Sequence, residues 1–474
     1  MSIVQTIRYD APFDYFGGFI QNAIDETGVH ASVSRTSEGF ELVIDESDPQ
    51  TLERFSDFLQ KYLPHSIFLK EITTETKEVP AQNVRFHSPA YALAPCPICL
   101  EKLTDPASDD YLNDTILCTH YTDETPEPDH DTTIFSPHFH RNDTILLCNP
   151  EKVHDLFHVT EQELKALFGI EKPALKLTLK DEELKATTGK NYFFVQAPYN
   201  IKSALAALNA KESGIDTLFF TRRPEEPTTA VVQEHTCFVR DNRITPAPKE
   251  KYGDTMLDRF DAVAKEAGYD DAIGAYMSRS GIAFGVMQKG EPRKAIAFQP
   301  FKWRSVHETM QKDPTRQRLL QNFAEKYPLT AQRLQEDQDD VFALLATILE
   351  LENPRFVALS DTSLAFRGNG GLKMDMFFTD DGFDYPALVG SVMSFRLAST
   401  EPHYLAYSIF EAFGDMAVSV LGQLKRKTKI ERFVLFGDMF ENTVLFSRIL
   451  SKFQISTPYF PKAIALDENS SVKT

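Results

Sequence analysis

Cys96, Cys99 and Cys118 constrain this chain more tightly than any other residues. They lie in CPICLEKLTDPASDDY and the CTHY that follows, with two residues inside the first pair and eighteen before the third cysteine. That is three quarters of a C-x2-C-x18-C-x2-C zinc ribbon, in which two short knuckles bring four donors to one tetrahedral ion. The fourth cysteine position is Tyr121, and a phenol is a poor zinc ligand. His120 is adjacent, and His130, His138, His140 and Cys148 follow. The ligand set assigned here is Cys96, Cys99, Cys118 and His120, holding a structural zinc. The alternative is a ribbon that has lost its metal and keeps three reduced thiols. His138 and His140 alternate as on a strand face and read as surface histidines.

A chain of 474 residues exceeds one ordinary domain and suggests about three or four. The net charge of −19, with no basic stripe, argues against nucleic acid, whose backbone phosphates would be repelled. Five cysteines, three of them in knuckle spacing, fit a reducing cytoplasm better than a disulfide framework. No apolar run reads as long enough to cross a bilayer, and MSIVQTIRYD lacks a signal-peptide core, so no membrane insertion is expected.

Periodicity places the elements. Residues 1–80 read as an opening strand, a helix near residues 16–26, the strands HASVSRT and GFELVID, and a second helix, PQTLERFSDFLQKYL. Leu52, Phe55, Leu59 and Leu63 share one face of that helix, and Pro49 sits near its start. Thr160 and Glu163 have the spacing of a capping box. AIGAYMSRSGIAFGVMQKG reads as a hairpin turning at SRSG. Leu405, Ile409, Phe413, Ala417, Val420 and Leu424 recur at three- and four-residue steps, a core-facing stripe. RFVLFGDMFENTVLFSRIL reads as strand, glycine turn and helix. Trp303, the only tryptophan, is expected in core or interface packing.

The run CP-x-CL-x-x-L-x-DP-x-x-x-x-Y, with the third cysteine followed by threonine, resembles the first zinc finger of the HypF family. Those carbamoyltransferases begin the synthesis of the cyanide ligands of nickel–iron hydrogenases. The resemblance implies an α/β chain of α+β modules. They are an acylphosphatase-like, ferredoxin-type domain over 1–82, a zinc-ribbon region over 83–142 with its second finger missing, a shortened YrdC-like domain over 143–255, and an actin-like carbamoyltransferase-type domain over 256–474.

Each module departs from the family at its working residues. The acylphosphatase arginine position is Gly17 and the water-orienting asparagine position is Arg35, although Gly17 and Gly18 could still shape a loop of backbone N–H groups. The family's T-S-x-N adenylate turn corresponds to LFFTRRPEEP, where Arg222 and Arg223 stand beside Glu225 and Glu226 and read as a solvated turn. The family's S-G-G-x-x-x-N nucleotide turn is matched by Gly437 and Asn442, but the second glycine is Asp438, whose carboxylate repels phosphate. The metal-binding H-x-x-x-H pair is missing, only His307 and His403 occurring after Lys265, and ALDENSS with Asp467 replaces a D-G-G turn.

These departures imply a catalytically silent, HypF-like accessory or assembly protein of hydrogenase maturation, with a hydrogenase subunit or other maturation proteins as partners. No residue is assigned a catalytic role, and Gly437 and Asn442 remain as a vestigial nucleotide turn. The alternative is an active carbamoyl- or nucleotide-transferring enzyme with new ligands, such as Asp375, Asp380, Asp381 and Asp384.

Overall fold

The computed structural model describes residues 2–91, 93–126, 132–140, 144–221, 229–233, 236–240, 250–336, 338–379, 382–453, 457–462 and 464. The chain forms two compact units, residues 1–247 with 462–474, and residues 248–461. The first unit takes in the spans 1–82 and 83–142 and most of 143–255, whose last residues, 248–255, fall in the second.

That unit opens with β1 (Ser2–Tyr9), α1 (Tyr15–Thr27), β2 (Ala31–Thr36), β3 (Gly39–Ile44), α2 (Pro49–Tyr62) and β4 (Leu69–Lys77), the first five in the order read from the sequence. The strands pair antiparallel in the order β2-β3-β1-β4. Alternation along β1 places Ile7 and Tyr9 in the main core, while Val4, an odd number of steps away, is buried on the other face of the sheet. Asp48 starts α2 by accepting the N–H groups of Gln50 and Thr51, and Pro49 occupies the first turn, where its missing N–H costs nothing.

α3 (Pro97–Thr104) carries the first knuckle. Beyond it, β5 (Thr144–Leu147), β6 (Phe157–His158), β7 (Leu175–Leu179), β8 (Tyr192–Gln196) and β9 (Thr217–Phe220) form a mixed sheet in the order β6-β7-β8-β5-β9, with β5 and β8 parallel. The Thr160–Glu163 capping box is present, and Asn200 and Ser203 make a second. β10 (Thr229–Gln233) and β11 (Thr236–Arg240) pair as a hairpin. One apolar core runs from Phe16 and Phe40 through Cys96, Cys99 and Tyr121 to Leu175 and Val195. The ribbon is thus built into the unit's interior.

In the second unit β12 (Ala272–Ser278), β13 (Gly281–Gln288) and β14 (Glu291–Ala297) form an antiparallel meander. Ser278 pairs with Gly281, so Arg279 and Ser280 make the hairpin turn that the sequence located. β15 (Phe378–Thr379) and β16 (Gly382–Phe383) are a short hairpin, and β17 (Phe433–Phe436) runs parallel to β12. The helix Pro402–Thr428 buries the whole expected stripe, Leu405 through Leu424. By length and composition alone this helix could cross a membrane, against the reading from sequence; 67% of its apolar window is buried inside the fold. Trp303 is buried and donates its ring N–H to the Leu334 carbonyl at 2.5 Å, which settles its role as core packing.

Candidate metal centre and anion-binding turns

The knuckle begins where the chain turns into α3. Cys96 precedes the helix and accepts the N–H of Cys99 on its Sγ at 3.4 Å, and Pro97 fixes the first helical residue. His120 Nδ1 lies 3.2 Å from Cys96 Sγ, 3.4 Å from Cys99 Sγ and 3.8 Å from Cys118 Sγ. All four donor atoms fall within 4.8 Å of one another. Metal–sulfur bonds of about 2.3 Å and a metal–nitrogen bond of about 2.0 Å put the edges of a tetrahedron at about 3.5–3.8 Å. The residues fit a tetrahedral zinc.

Without a cation the thiols work against one another. Burial pushes Cys96 well above the ordinary thiol range, and its hydrogen bond to Cys118 takes Cys99 up to about 12. Hydrogen bonds from Cys96 and Cys99 hold Cys118 well below that range. A divalent ion bound among them would favour the thiolate form of all three.

The other candidate donors lie elsewhere. His138 and His140 are exposed, with ring centroids 6.5 Å apart. Cys148 is buried and directs its thiol to the Leu146 carbonyl. Tyr121 is buried beside Phe19, at 5.6 Å between centroids. His130 is outside the described residues.

The expected phosphate loop is not a loop. Gly17 and Gly18 are inside α1, where both are buried. Arg35 fills the space before the helix. Its guanidinium donates to the carbonyls of Phe13, at 3.1 Å, and Ala11, stands 3.9 Å from the Asp14 carboxylate, and lies 4.6 Å above the Phe40 ring. The segment before α1 thus offers carbonyl oxygens, not N–H groups, and a cation already takes them. A cavity of about 340 Å³ remains beside it, lined by Ser32, Ser34, Arg35, Gln82 and Arg85 among others.

The glycine turn in the second unit is also filled. Gly437 has φ +115°, and a Cβ there would lie 2.2 Å from the Met277 carbonyl oxygen, so only glycine allows this approach of the turn to β12. Asp438 is buried. Its Oδ1 accepts the backbone N–H of Arg279 at 2.9 Å, and its Oδ2 lies 3.0 Å from Arg279 Nε. Arg279 Nη2 reaches Glu441 at 2.8 Å. Asn442 is fully buried. Its Oδ1 caps the helix Thr443–Lys452 through the Leu445 N–H at 3.0 Å, and its Nδ2 donates to Ser360 at 2.8 Å and Ser363 at 3.0 Å. The side-chain donors and acceptor that the sequence reading offered to a nucleotide are spent inside the fold.

In the acidic stretch of the alternative reading, Asp384 has a structural role, while the Asp375 side chain is exposed. Asp384 caps the helix Tyr385–Leu397 and pairs with Arg316 at 3.4 Å, while the N–H of Asp375 meets Ser391. Asp380, Asp381, Asp467, Arg222 and Arg223 are outside the described residues. His307 lies against Trp303 with its ring tilted at 54°, and His403 lies near Phe366, tilted at 33°. Among the described residues, the cysteine–histidine group is the one cluster with metal-ligand geometry. The sequence reading missed Arg279; a lone arginine in a hairpin turn carries no signal until Asp438 is seen opposite it.

No family model matches the chain. Two solved structures match its fold end to end. Full-length HypF in a phosphate- and nucleotide-bound form superposes with a TM-score of 0.55 at 13% identity, covering 99% of this chain and 96% of that one. HypF from T. kodakarensis gives 0.61 at 11% identity, covering 99% and 97%. The chain has a HypF-like fold. The multi-domain α/β architecture read from the sequence agrees with these neighbours. Among curated proteins, Protein HydE of Wolinella succinogenes is 23% identical over 352 residues, which is 66% of this chain and 62% of HydE. The match therefore spans about three fifths of that relative's length.

Proposed function

We propose that this protein is a HypF-like accessory or assembly factor of nickel–iron hydrogenase maturation that performs no carbamoyl transfer. It binds its partners, a hydrogenase subunit or other maturation proteins, through modules laid out in the HypF order over 1–82, 83–142, 143–255 and 256–474. It works in the cytoplasm, where the thiols of Cys96, Cys99 and Cys118 stay reduced and hold one structural zinc with His120. The reading draws on the HypF-like fold and on the likeness to HydE. The single observation that carries the absence of turnover is Asp438, a buried carboxylate held by Arg279 where the family has a glycine. Phosphoryl chemistry depends on placed positive charge, and here that charge is neutralised from within.

A deletion strain tests the role. Hydrogenase activity and nickel insertion are expected to fall without this gene and to return when it is supplied in trans; full activity in the deletion strain would end the assembly reading. Carbamoyl-phosphate-dependent ATP cleavage tests the other half. None is expected from the pure protein, and measurable turnover would favour the alternative of a carbamoyltransferase with a rearranged site.

A further inference from the structure

We infer that the outer edge of β4 is a dimer surface, on which two copies of this chain join β4 to β4 antiparallel with Thr74 facing Thr74 across the two-fold axis. The inference does not depend on the assembly role proposed above.

β4 ends the first sheet and, among the described residues, pairs with β1 alone. Every residue from Lys70 to Lys77 is exposed. The outward N–H and C=O groups of such an edge are a template for another strand, and proteins usually blunt it with proline, a bulge or charge. Residues 70–78, KEITTETKE, hold no proline, and the register irregularity of this pair lies at the start of β4, opposite Arg8 and Tyr9. Ile72, Thr73, Thr74 and Thr76 are β-branched and suit a strand. Five of the nine residues are charged, so charge decides whether this edge is blocked or selective.

Two identical subunits that close on a two-fold axis use the same patch on both, so their edge strands run antiparallel and the residue on the axis fixes the register. With Thr74 there, Lys70 faces Glu78 of the second copy, Glu71 faces Lys77, Ile72 faces Thr76 and Thr73 faces Glu75, each pair occurring twice. No like charges meet. The neighbouring registers all fail this test. A slip of one residue sets Lys70 against Lys77 or Glu71 against Glu78, and a slip of two sets Glu71 against Glu75 or Glu75 against itself. Opposed like charges destabilise a strand pair, and opposed unlike charges support it. Arg8 lies 3.5 Å from Glu71 on the β1 side, so Glu71 would stand between Arg8 of its own chain and Lys77 of the second copy. Lys77 also meets Glu75, and Lys70 lies 3.7 Å from Asp10, but these exposed contacts yield readily.

The apolar side chains select the same register. Ile3 and Ile72 are 37% and 41% exposed. Ile7 pairs with Ile72 and Ile3 with Thr76, all on the face where Ile7 joins the main core. With Thr74 on the axis, one row runs from Ile7 and Ile72 to Thr76 and Ile3 of the second copy, and the two-fold repeats it beyond Thr74. Both exposed isoleucines of each copy thus enter one shared band. About eight to ten main-chain hydrogen bonds join the two edges.

Analytical ultracentrifugation of the full-length protein at low salt would compare wild type, Lys77→Glu, Glu71→Lys and the double exchange, with thermal melts to confirm folding. Wild type is expected as a particle of twice the 53.7 kDa chain mass. Each single variant sets like charges opposite one another at two places and should weaken dimerisation about tenfold or more. The double exchange restores opposite signs and should return it to within about threefold of wild type. Cross-linking reads the register separately. Thr74→Cys puts a thiol opposite its own copy, at the Cα separation of about 4.5 or 5.5 Å that a disulfide spans. Diamide should link its two chains. It should not link Thr76→Cys, whose two copies lie four residues apart along the strands, nor wild type. A wild type that stays monomeric at tens of micromolar would overturn the inference. So would a dimer indifferent to both single variants, a folded double exchange that stays apart, or Thr76→Cys linking as well as Thr74→Cys.

Discussion

Gly18 lies so close to the backbone of Tyr121 that a Cβ on it would stand 2.2 Å from the Tyr121 carbonyl oxygen and 2.9 Å from the Ser88 Cβ. α1 thus receives the ribbon at the residue that replaces the fourth knuckle cysteine. Gly17, one residue earlier, gives way to Phe40 and Phe86. A glycine inside a helix costs about 0.5–1 kcal/mol relative to alanine, a loss tolerated here because it lets two backbones touch. Gly18→Ala should lower stability by about 1–3 kcal/mol, the cost of overpacking against an atom that no rotamer can move aside. Thermal melts check this, and chelator challenge should strip metal faster from the variant. A variant as stable as wild type would show that the contact relaxes easily.

The metal site predicts its own stoichiometry. Elemental analysis is expected to find one zinc per chain, with Cys96→Ser plus Cys99→Ser abolishing it and His120→Ala weakening retention. Replacing His138 and His140 together should leave the metal in place, since both are exposed and neither belongs to the cluster. Removal of zinc should also lower the melting temperature, because Cys96 and Cys99 belong to the unit's main core. Two zincs per chain would refute the ligand set.

How far the sequence reached follows from what kind of signal each feature leaves. The βαββαβ unit, the hairpin at Arg279–Ser280 and the long core helix were legible because apolar period and turn residues are local. The cluster of three cysteines with His120 was legible because knuckle spacing is local too. What was not legible is long-range. Gly17 and Gly18 were offered to a phosphate loop although the expected helix near 16–26 already spans them, since sequence alone does not reveal a neighbouring backbone that demands glycine in a helix. Arg35 read as a lost asparagine, but whether it leaves a gap or fills one depends on the carbonyls of Ala11 and Phe13. Asn442 matched a nucleotide motif, yet Ser360 and Ser363, about eighty positions earlier, take its amide.

Arg35 should matter for stability and not for catalysis. Arg35→Met keeps much of the apolar stem over Phe40 but strands the Ala11 and Phe13 carbonyls, a loss of about 1–3 kcal/mol. No turnover of a generic acyl phosphate is expected from wild type or variant. Denaturant titration reads the first and a phosphate-release assay the second; activity that disappears with Arg35→Met would make it a catalytic group.

Glu171 gives a pH signature. Its buried carboxylate accepts from Tyr15 at 2.8 Å, from the Ile67 N–H at 3.1 Å and from Ser66. Burial raises its pKa above the ordinary glutamate value despite these bonds. A raised carboxyl stabilises the fold most below the unfolded-state pKa, and that contribution is lost as pH rises through the folded value. Glu171→Gln cannot ionise. The stability of wild type relative to Glu171→Gln should therefore decline from pH 4.5 towards pH 8, by at most about 1.4 kcal/mol per pH unit. Urea midpoints across that range test it, and a constant difference would mean Glu171 titrates as a free glutamate does.

Asn442 separates a folding role from a ligand role. It is fully buried, caps the helix Thr443–Lys452 and ties that helix to Ser360 and Ser363. Asn442→Ala removes the cap and leaves two serine hydroxyls to find other partners in the interior. The cap contributes about 1 kcal/mol and the stranded groups about 1–3 more. Asn442→Asp keeps the cap oxygen but cannot donate to either serine, so it should retain the helix and lose the tie, with an added cost for burying charge. The expected order of melting temperatures is wild type, then both variants well below, with no change in the weak response to magnesium ATP. If Asn442→Ala melted like wild type but altered nucleotide binding, the residue would be a ligand after all, and the turn would be a working site.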